Sequence, residues 1–268
     1  MRQCRLIYDS PTIGRYNMAT DEAILNAVSA GESPPTLRLY GWEPLCLSLG
    51  YGQRSREADL DQLAANGWDI VRRPTGGKAI LHGDELTYSL ALPTDHPLAA
   101  GDVVTSYLTI SRALAAGLEL LGVHPQADPM SATATTAGPV CFEVPSHYEI
   151  TVGGRKLIGS AQVRRKGGIL QHGTLPLHGD LGRICTGLAY PDETAREAGR
   201  EQIRARATTL EAALGQRVSW QATADAMVRG FSQTFQLEFI VGTLTPSEQA
   251  DTERLQAVYG STEHTLRR

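Results

Sequence analysis

Leu45, Leu47 and Leu49 alternate with Cys46 and Ser48, and Leu86, Tyr88, Leu90 and Leu92 share one side of a two-residue period. Both patterns predict strands. Thr36 to Tyr40, Ile70 to Arg73 and Gly168 to Leu177 read as further strands, the second stopped by Pro74. Tyr148 to Val152 and Lys156 to Gln162 flank Gly153-Gly154, the pattern of a hairpin. A helical period appears over Tyr107 to Leu121, with Leu108, Leu114, Leu118 and Leu121 spaced for one face and Gly122 at the cap position. Shorter helices are predicted for Asp21 to Val28, capped by Asp21, and for Leu60 to Ala65. From Asp192 the pattern is charged and helical, through Arg196 to Ala213 and Trp220 to Phe235. Ala127 to Pro139 is small, polar and Thr/Ala-rich, the pattern of a mobile loop. The predicted class is α+β, with a mixed sheet flanked by helices and a helical C-terminal part.

Composition narrows the class. Of 268 residues, 41% are hydrophobic and 20% charged, enough to build a core and too apolar for a disordered chain. The formal net charge of -4 argues against a general nucleic-acid partner. No run reaches the roughly 18 apolar residues of a membrane helix, and the first ten residues lack an apolar signal core. The four cysteines are scattered without a CxxC pair, which suits a reducing cytoplasm. The seven histidines show no metal-ligand spacing, so no metal site is expected.

Four segments offer chemistry. Arg72-Arg73-Pro74-Thr75-Gly76-Gly77-Lys78, with His82 beyond it, combines close backbone approach with positive charge. It lacks the glycine and Ser/Thr of a Walker loop, and reads equally as a glycine hairpin with solvated basic residues. Lys156 begins the run Lys156-Leu157-Ile158-Gly159-Ser160-Ala161-Gln162. A strand lysine ordinarily faces solvent, but at a site mouth it neutralises charge or moves a proton. Cys141 stands where the Thr/Ala segment meets the next strand, with Lys156, His147, His82 and His172 as candidate neighbours. A cysteine is ordinarily a small buried hydrophobe, and a nucleophile only where its pKa is lowered. Gln171-His172-Gly173-Thr174 places a histidine on a strand, either structural or ligand-facing.

Together with Glu85-Leu86-Thr87-Tyr88-Ser89, these segments resemble the lipoyl- and octanoyl-transferring branch of the biotin/lipoate protein ligase superfamily. The resemblance covers about Leu6 to Leu177, and more loosely the C-terminal helices. It implies a biotin/lipoate-ligase-like catalytic domain, with a core over about 6–190 and a helical part over about 191–268. It also implies a tunnel for a medium-length acyl chain. By the same resemblance the tunnel and its mouth are lined by Arg72, Arg73, Thr75, Gly76, Gly77 and His82, by Gly159, Ser160 and Ala161, and by His172 and Gly173.

Val140-Cys141-Phe142, Pro145-Ser146 and Tyr148-Glu149 are similar to the catalytic-cysteine segment of LipM-type octanoyltransferases of Gram-positive bacteria. Pro34-Pro35-Thr36-Leu37-Arg38-Leu39-Tyr40-Gly41-Trp42 is similar to the same group. That resemblance implies transfer of an octanoyl group from octanoyl-acyl carrier protein, through a Cys141 thioester, to a lysine of a lipoyl domain or glycine-cleavage H protein. Lys156 would assist, and no cofactor is needed. The alternative is an ATP- and magnesium-dependent lipoate-protein ligase, though the length leaves little room for its accessory domain. A biotin ligase lacks its Gly-Arg-Gly loop here, and a regulator lacks a DNA-binding segment. Docking of acidic carrier domains is expected to use Arg54, Arg56, Arg72, Arg73, Arg164, Arg165 and Lys166.

Overall fold

The computed structural model describes residues 2–127, 150–165 and 167–267. The N-terminal half runs β1 (Arg2–Tyr8), α1 (Gly14–Ser29), β2 (Thr36–Tyr40), β3 (Cys46–Leu49), α2 (Leu60–Ala65), β4 (Asp69–Arg72), β5 (Ile80–His82), β6 (Glu85–Pro93), α3 (Val103–Leu120) and β7 (Gln126–Ala127). It continues with β8 (Ile150–Val152), β9 (Arg155–Arg165), β10 (Gly168–Pro176), α4 (Glu193–Arg206), α5 (Leu210–Leu214), α6 (Trp220–Phe235), β11 (Leu237–Val241), α7 (Pro246–Tyr259) and α8 (Thr262–Thr265).

Among the described residues, eight strands form one mixed sheet in the order β11-β1-β2-β6-β10-β9-β8-β7. β1 pairs in parallel with β11 and β2, and the remaining pairs are antiparallel. A second sheet, β4-β3-β5, holds the glycine loop between its outer strands. The α+β class and the mixed sheet flanked by helices are as expected.

The period read in β6 has a direct structural cause. Leu86, Tyr88, Leu90 and Leu92 face the core shared with Ile110, Leu114, Met227 and Phe231 of α3 and α6. Ala91, on the opposite face, packs with Ile24, Leu25 and Val28 of α1. The sheet is therefore covered on both sides along β6. The hairpin turn is as expected, with Gly153 at φ +56° and Gly154 at φ +72°. Gly122 follows α3 at φ +88°, where a side chain would be strained.

Four elements differ from the sequence reading. The helix expected over Arg196 to Ala213 is broken into α4 and α5, because Ala207 and Thr208 pair with Lys156 and Thr209 caps α5. α1 starts at Gly14, so Asp21 is not a cap but a fully buried residue inside the helix. Its first turns are polar because their partners are internal: Asn17 Nδ2 donates to Gly41 O at 3.0 Å, and Arg38 Nη2 donates to Asn17 Oδ1 at 2.9 Å. α3 begins earlier, at Val103, where Asp102 Oδ1 accepts from Thr105 N at 2.7 Å. The C-terminal part is not purely helical, since β11 extends the main sheet beside β1. Thr245-Pro246-Ser247-Glu248 makes a capping box at the start of α7, a signal present in the sequence. Glu248 also accepts from Arg5 Nη1 at 2.8 Å and from Ser33 Oγ at 2.8 Å, which fixes α7 to β1 and the end of α1.

Candidate active site

A cavity of about 560 Å³ opens between the two sheets. Its walls are Arg73, Gly76, Gly77 and Lys78 after β4, Gly159 to Gln162 of β9, and His172 to Thr174 of β10. Met18, Tyr40, Trp42, Ile80, His82 and Thr87 complete it. The size is that of a small-ligand pocket.

The glycine loop is held from within. Arg73 Nη1 donates to Ser48 O and Oγ, both at 3.1 Å, while Nη2 donates to Gly76 O at 2.9 Å and Lys78 O at 2.6 Å. Gly50 abuts the loop so closely that a Cβ there would lie 1.9 Å from Gly77 O. Arg72 does not line the cavity: it is fully buried, and its guanidinium donates to main-chain carbonyls at Gly50, Gln53, Thr265 and Arg267. Neither arginine therefore adds to a basic docking surface. Arg164 is spent on the carbonyls of Ala99, Gly101 and Asp102, and Arg165 pairs with Glu22 at 2.7 Å. Arg54 and Arg56 are exposed, and Lys166 lies outside the described residues.

Both histidines on the wall have carboxylate partners. His172 Nε2 lies 2.6 Å from Thr75 Oγ1 and Nδ1 lies 3.3 Å from Asp21 Oδ2. Thr75 thus stands behind the wall and orients His172. Burial pushes His172 below its ordinary value, with Arg73 adding to the effect and Asp21 opposing it. The neutral ring donates from Nδ1–H to Asp21 and accepts the Thr75 hydroxyl at Nε2. Burial works against the Asp21 charge, but His172 and Arg38 outweigh it and hold the carboxyl below its usual range. Arg38 Nη1 donates to Asp21 Oδ1 at 2.8 Å and Tyr40 OH donates to Asp21 Oδ2 at 2.9 Å. His82 Nδ1–H donates to Glu85 Oε1 at 2.7 Å, and Ser48 Oγ lies 2.7 Å from Nε2. Burial opposes the Glu85 charge, and His82, Thr174 and Thr87 outweigh it, so this carboxyl too is held low.

Lys156 is buried at the start of β9, with 4% of its surface exposed. A Cβ placed on Gly159 would lie 3.0 Å from Lys156 Cε and 3.4 Å from Nζ. The ammonium thus sits beside the Gly159 wall of the cavity rather than facing solvent. Gly173 is enclosed: a Cβ there would meet Gly159 O and Ser160 Oγ, each at 2.5 Å. Tyr88 OH donates to Ser160 Oγ at 2.7 Å, tying β6 to the same wall. Cys141 and His147 lie outside the described residues. The other cysteines are buried; burial pushes the Cys4 thiol up to about 12 and the Cys46 thiol well above its ordinary value. Among the described residues, no three His, Cys, Asp or Glu side chains gather into a group able to hold a metal ion.

Of the expected wall, Arg73, Gly76, Gly77, His82, Gly159, Ser160, Ala161, His172 and Gly173 come together around one cavity. Met18, Tyr40, Trp42 and the supporting pair Asp21–Arg38 were not singled out from sequence as site residues. Arg38, Tyr40 and Trp42 fall within Pro34 to Trp42, the stretch similar to octanoyltransferases, and that is the one sequence signal that points to them.

The model of the lipoyl protein ligase A/B catalytic domain matches residues 14–232. Octanoyltransferase LipM of Moorella thermoacetica is 42% identical, over 94% of this chain and 93% of that protein. Octanoyltransferase LipM of Symbiobacterium thermophilum is also 42% identical, over 98% of each chain, and that of Kyrpidia tusciae is 39% identical over 100% of each. Among solved structures, a bi-partite lipoate protein ligase from Thermoplasma acidophilum, described with its E2 lipoyl domain, superposes with a TM-score of 0.84. It shares 27% identity, over 99% of this chain and 97% of that one. A lipoate-protein ligase A bound with ATP gives a TM-score of 0.81 at 27% identity, over 99% of each chain. With its family model spanning most of the sequence and its full-length identity highest to octanoyl-transferring relatives among these proteins, the chain belongs to the lipoyl protein ligase A/B family, in its octanoyltransferase branch.

Proposed function

We propose that this acyltransferase of lipoate biosynthesis moves an octanoyl group from octanoyl-acyl carrier protein to a lysine of a lipoyl domain or glycine-cleavage H protein. The Cys141 thiolate attacks the donor carbonyl, and the phosphopantetheine thiolate leaves and takes up a proton. The neutral ε-amine of the acceptor lysine then attacks the octanoyl-Cys141 thioester. An amide forms, the Cys141 thiolate departs, and the amine proton is lost. Lys156, beside Gly159, disfavours the protonated form of an incoming lysine by like charge, and steadies negative charge on the tetrahedral intermediate. The reaction consumes no ATP and needs no magnesium.

The observation that carries this reading is the cavity itself, lined by glycines and small side chains at Gly76, Gly77, Gly159 to Ala161 and Gly173 and by the apolar Met18, Tyr40, Trp42 and Ile80, with a buried lysine beside Gly159. Burying about seven methylenes contributes several kcal/mol at roughly 0.8 kcal/mol each. Burial alone separates neighbouring chain lengths by about a factor of a few. Support for transfer over ligation comes from the relatives: 39–42% identity to octanoyltransferases against 27% to the two ligase structures. The T. acidophilum ligase is described with an E2 lipoyl domain, which supports an acceptor of that kind. No helix among the described residues is long and apolar enough to cross a membrane, and the cytoplasm is the proposed location.

The test is acceptor octanoylation measured in parallel with octanoyl-acyl carrier protein without ATP, and with free octanoate plus ATP and magnesium. Product in the first reaction alone supports transfer. Product in the second alone establishes the ligase.

A further inference from the structure

Arg72 joins two parts of the chain, residues 50–53 and 265–267, that are more than 200 residues apart in sequence. Nη1 donates to Gly50 O at 2.7 Å and Gln53 O at 2.6 Å, in the turn after β3. Nε donates to Thr265 O at 3.1 Å, and Nη2 donates to Arg267 O at 3.1 Å. The carbonyls at the end of a helix have no partner within it, so α8 offers Thr265 O to an outside donor. The planar guanidinium directs its N–H groups along fixed, diverging lines and spans both segments; a lysine ammonium is a single point and does not.

The turn that Arg72 grips also carries the glycine loop. Tyr51 N donates to Thr75 O at 2.8 Å, and Gly50 is in contact with Gly77 O. From the other side, the Arg267 guanidinium lies 4.4 Å above the Tyr51 ring. A continuous path therefore runs from α8, through Arg72 and the 50–53 turn, to the Gly76–Gly77 wall of the cavity.

We propose that Arg72 and the C-terminal segment 262–267 form a brace that sets the position of the Gly76–Gly77 wall. Arg72 is a positioning residue and not a ligand of the acyl substrate. The catalytic consequence rests on the acyl-transfer reading of the cavity; the mechanical coupling does not.

Hydrogen exchange read by mass spectrometry on the full chain tests the coupling, with two variants that approach the brace from opposite ends. Arg72→Lys keeps the charge and loses the fork. Thr265→Pro removes the bond from Thr265 N to Ser261 O (3.0 Å) and unseats α8, none of whose residues lines the cavity. In both, amides of residues 50–53 and 75–78 are expected to exchange at least about tenfold faster, with β6 and β10 unchanged. The KM for the octanoyl donor is expected to rise about tenfold, with kcat held within about threefold. Unchanged exchange at 50–53 and 75–78 in folded Thr265→Pro overturns the brace. So does faster exchange spread evenly through β6 and β10, which marks general loss of stability. Local loosening in a protein whose parent transfers no octanoyl group upholds the brace and overturns the acyl-transfer reading.

Discussion

Trp42 lies flat against His82, with ring centroids 4.0 Å apart and planes 12° from parallel. The indole Nε1–H donates to Thr87 Oγ1 at 2.8 Å, and Thr87 donates to Glu85 Oε1 at 2.5 Å, the oxygen that also accepts from His82. Trp42 also borders a second cavity of about 550 Å³, lined by Pro11, Gly83, Glu85, Leu177 and Trp220 among others. It therefore divides two spaces. Trp42→Ala is expected to cost about 3–5 kcal/mol of stability and to join them, so that longer acyl chains gain on octanoyl. Competition between octanoyl and dodecanoyl donors reads the ratio; an unchanged ratio in the folded variant removes Trp42 as the divider.

Cys141→Ala is expected to abolish transfer from octanoyl-acyl carrier protein, and the wild-type chain to carry an octanoyl adduct on Cys141 by intact-mass and peptide mapping. The buried, protonated thiols of Cys4 and Cys46 are poor substitutes. Undiminished turnover in Cys141→Ala would sink the thioester route.

Lys156→Ala is expected to slow transfer to the acceptor by roughly 10²- to 10⁴-fold, the range for a group that moves a proton or steadies charge. Acylation of Cys141 by the donor should suffer less, because no amine is deprotonated in that step. Single-turnover measurement of the two steps separates them, and an acceptor rate equal to wild type denies Lys156 the role.

Acid is expected to destabilise the fold in two stages. His172 is held below its ordinary 6.5 in the folded state. Its contribution is whole above that value and is lost as pH falls through the lower folded one. Glu85 and Asp21 are also depressed, from 4.5 and 3.8. Their contributions are present above those values and are lost on further acidification. His96 and His264 are also held below 6.5 by burial and add to the first stage. Urea unfolding across this range should show both stages; His172→Gln should shrink the first and, because His172 helps hold Asp21 low, soften the second. A first stage of unchanged size in His172→Gln removes His172 from it.

Gly50→Ala is expected to damage the site without touching ligand. The new methyl would lie 1.9 Å from Gly77 O, so the loop must move. Such overpacking costs about 1–3 kcal/mol. Donor KM should rise by more than in Gly76→Ala, where a Cβ has open space. Equal KM values for the two variants would show that the Gly50–Gly77 contact does not shape the wall.

Some elements could be read closely from local pattern. Thr36–Tyr40, Leu60–Ala65 and Trp220–Phe235 have the predicted bounds, since period and caps act over a few residues. The start of α1 was hidden because Asn17 and Asp21 satisfy their polar groups against Gly41 and Arg38, residues that only folding brings near. β11 escaped because a five-residue strand at an edge carries a weak period.

By itself, the sequence determined the class, most strands and helices, the family, and the glycine, lysine and histidine segments that wall the cavity. These depend on local backbone preference and on motifs that stay contiguous in the chain. Only the tertiary structure decided which way each side chain points. It turned Arg72 away to main-chain carbonyls, set Arg73 to bind its own loop, and placed Thr75 behind His172. A guanidinium reaches in several directions from one Cα, and the carbonyls that capture it come from segments up to 195 residues away. No local pattern encodes that choice; it follows from the requirement that buried donors find acceptors.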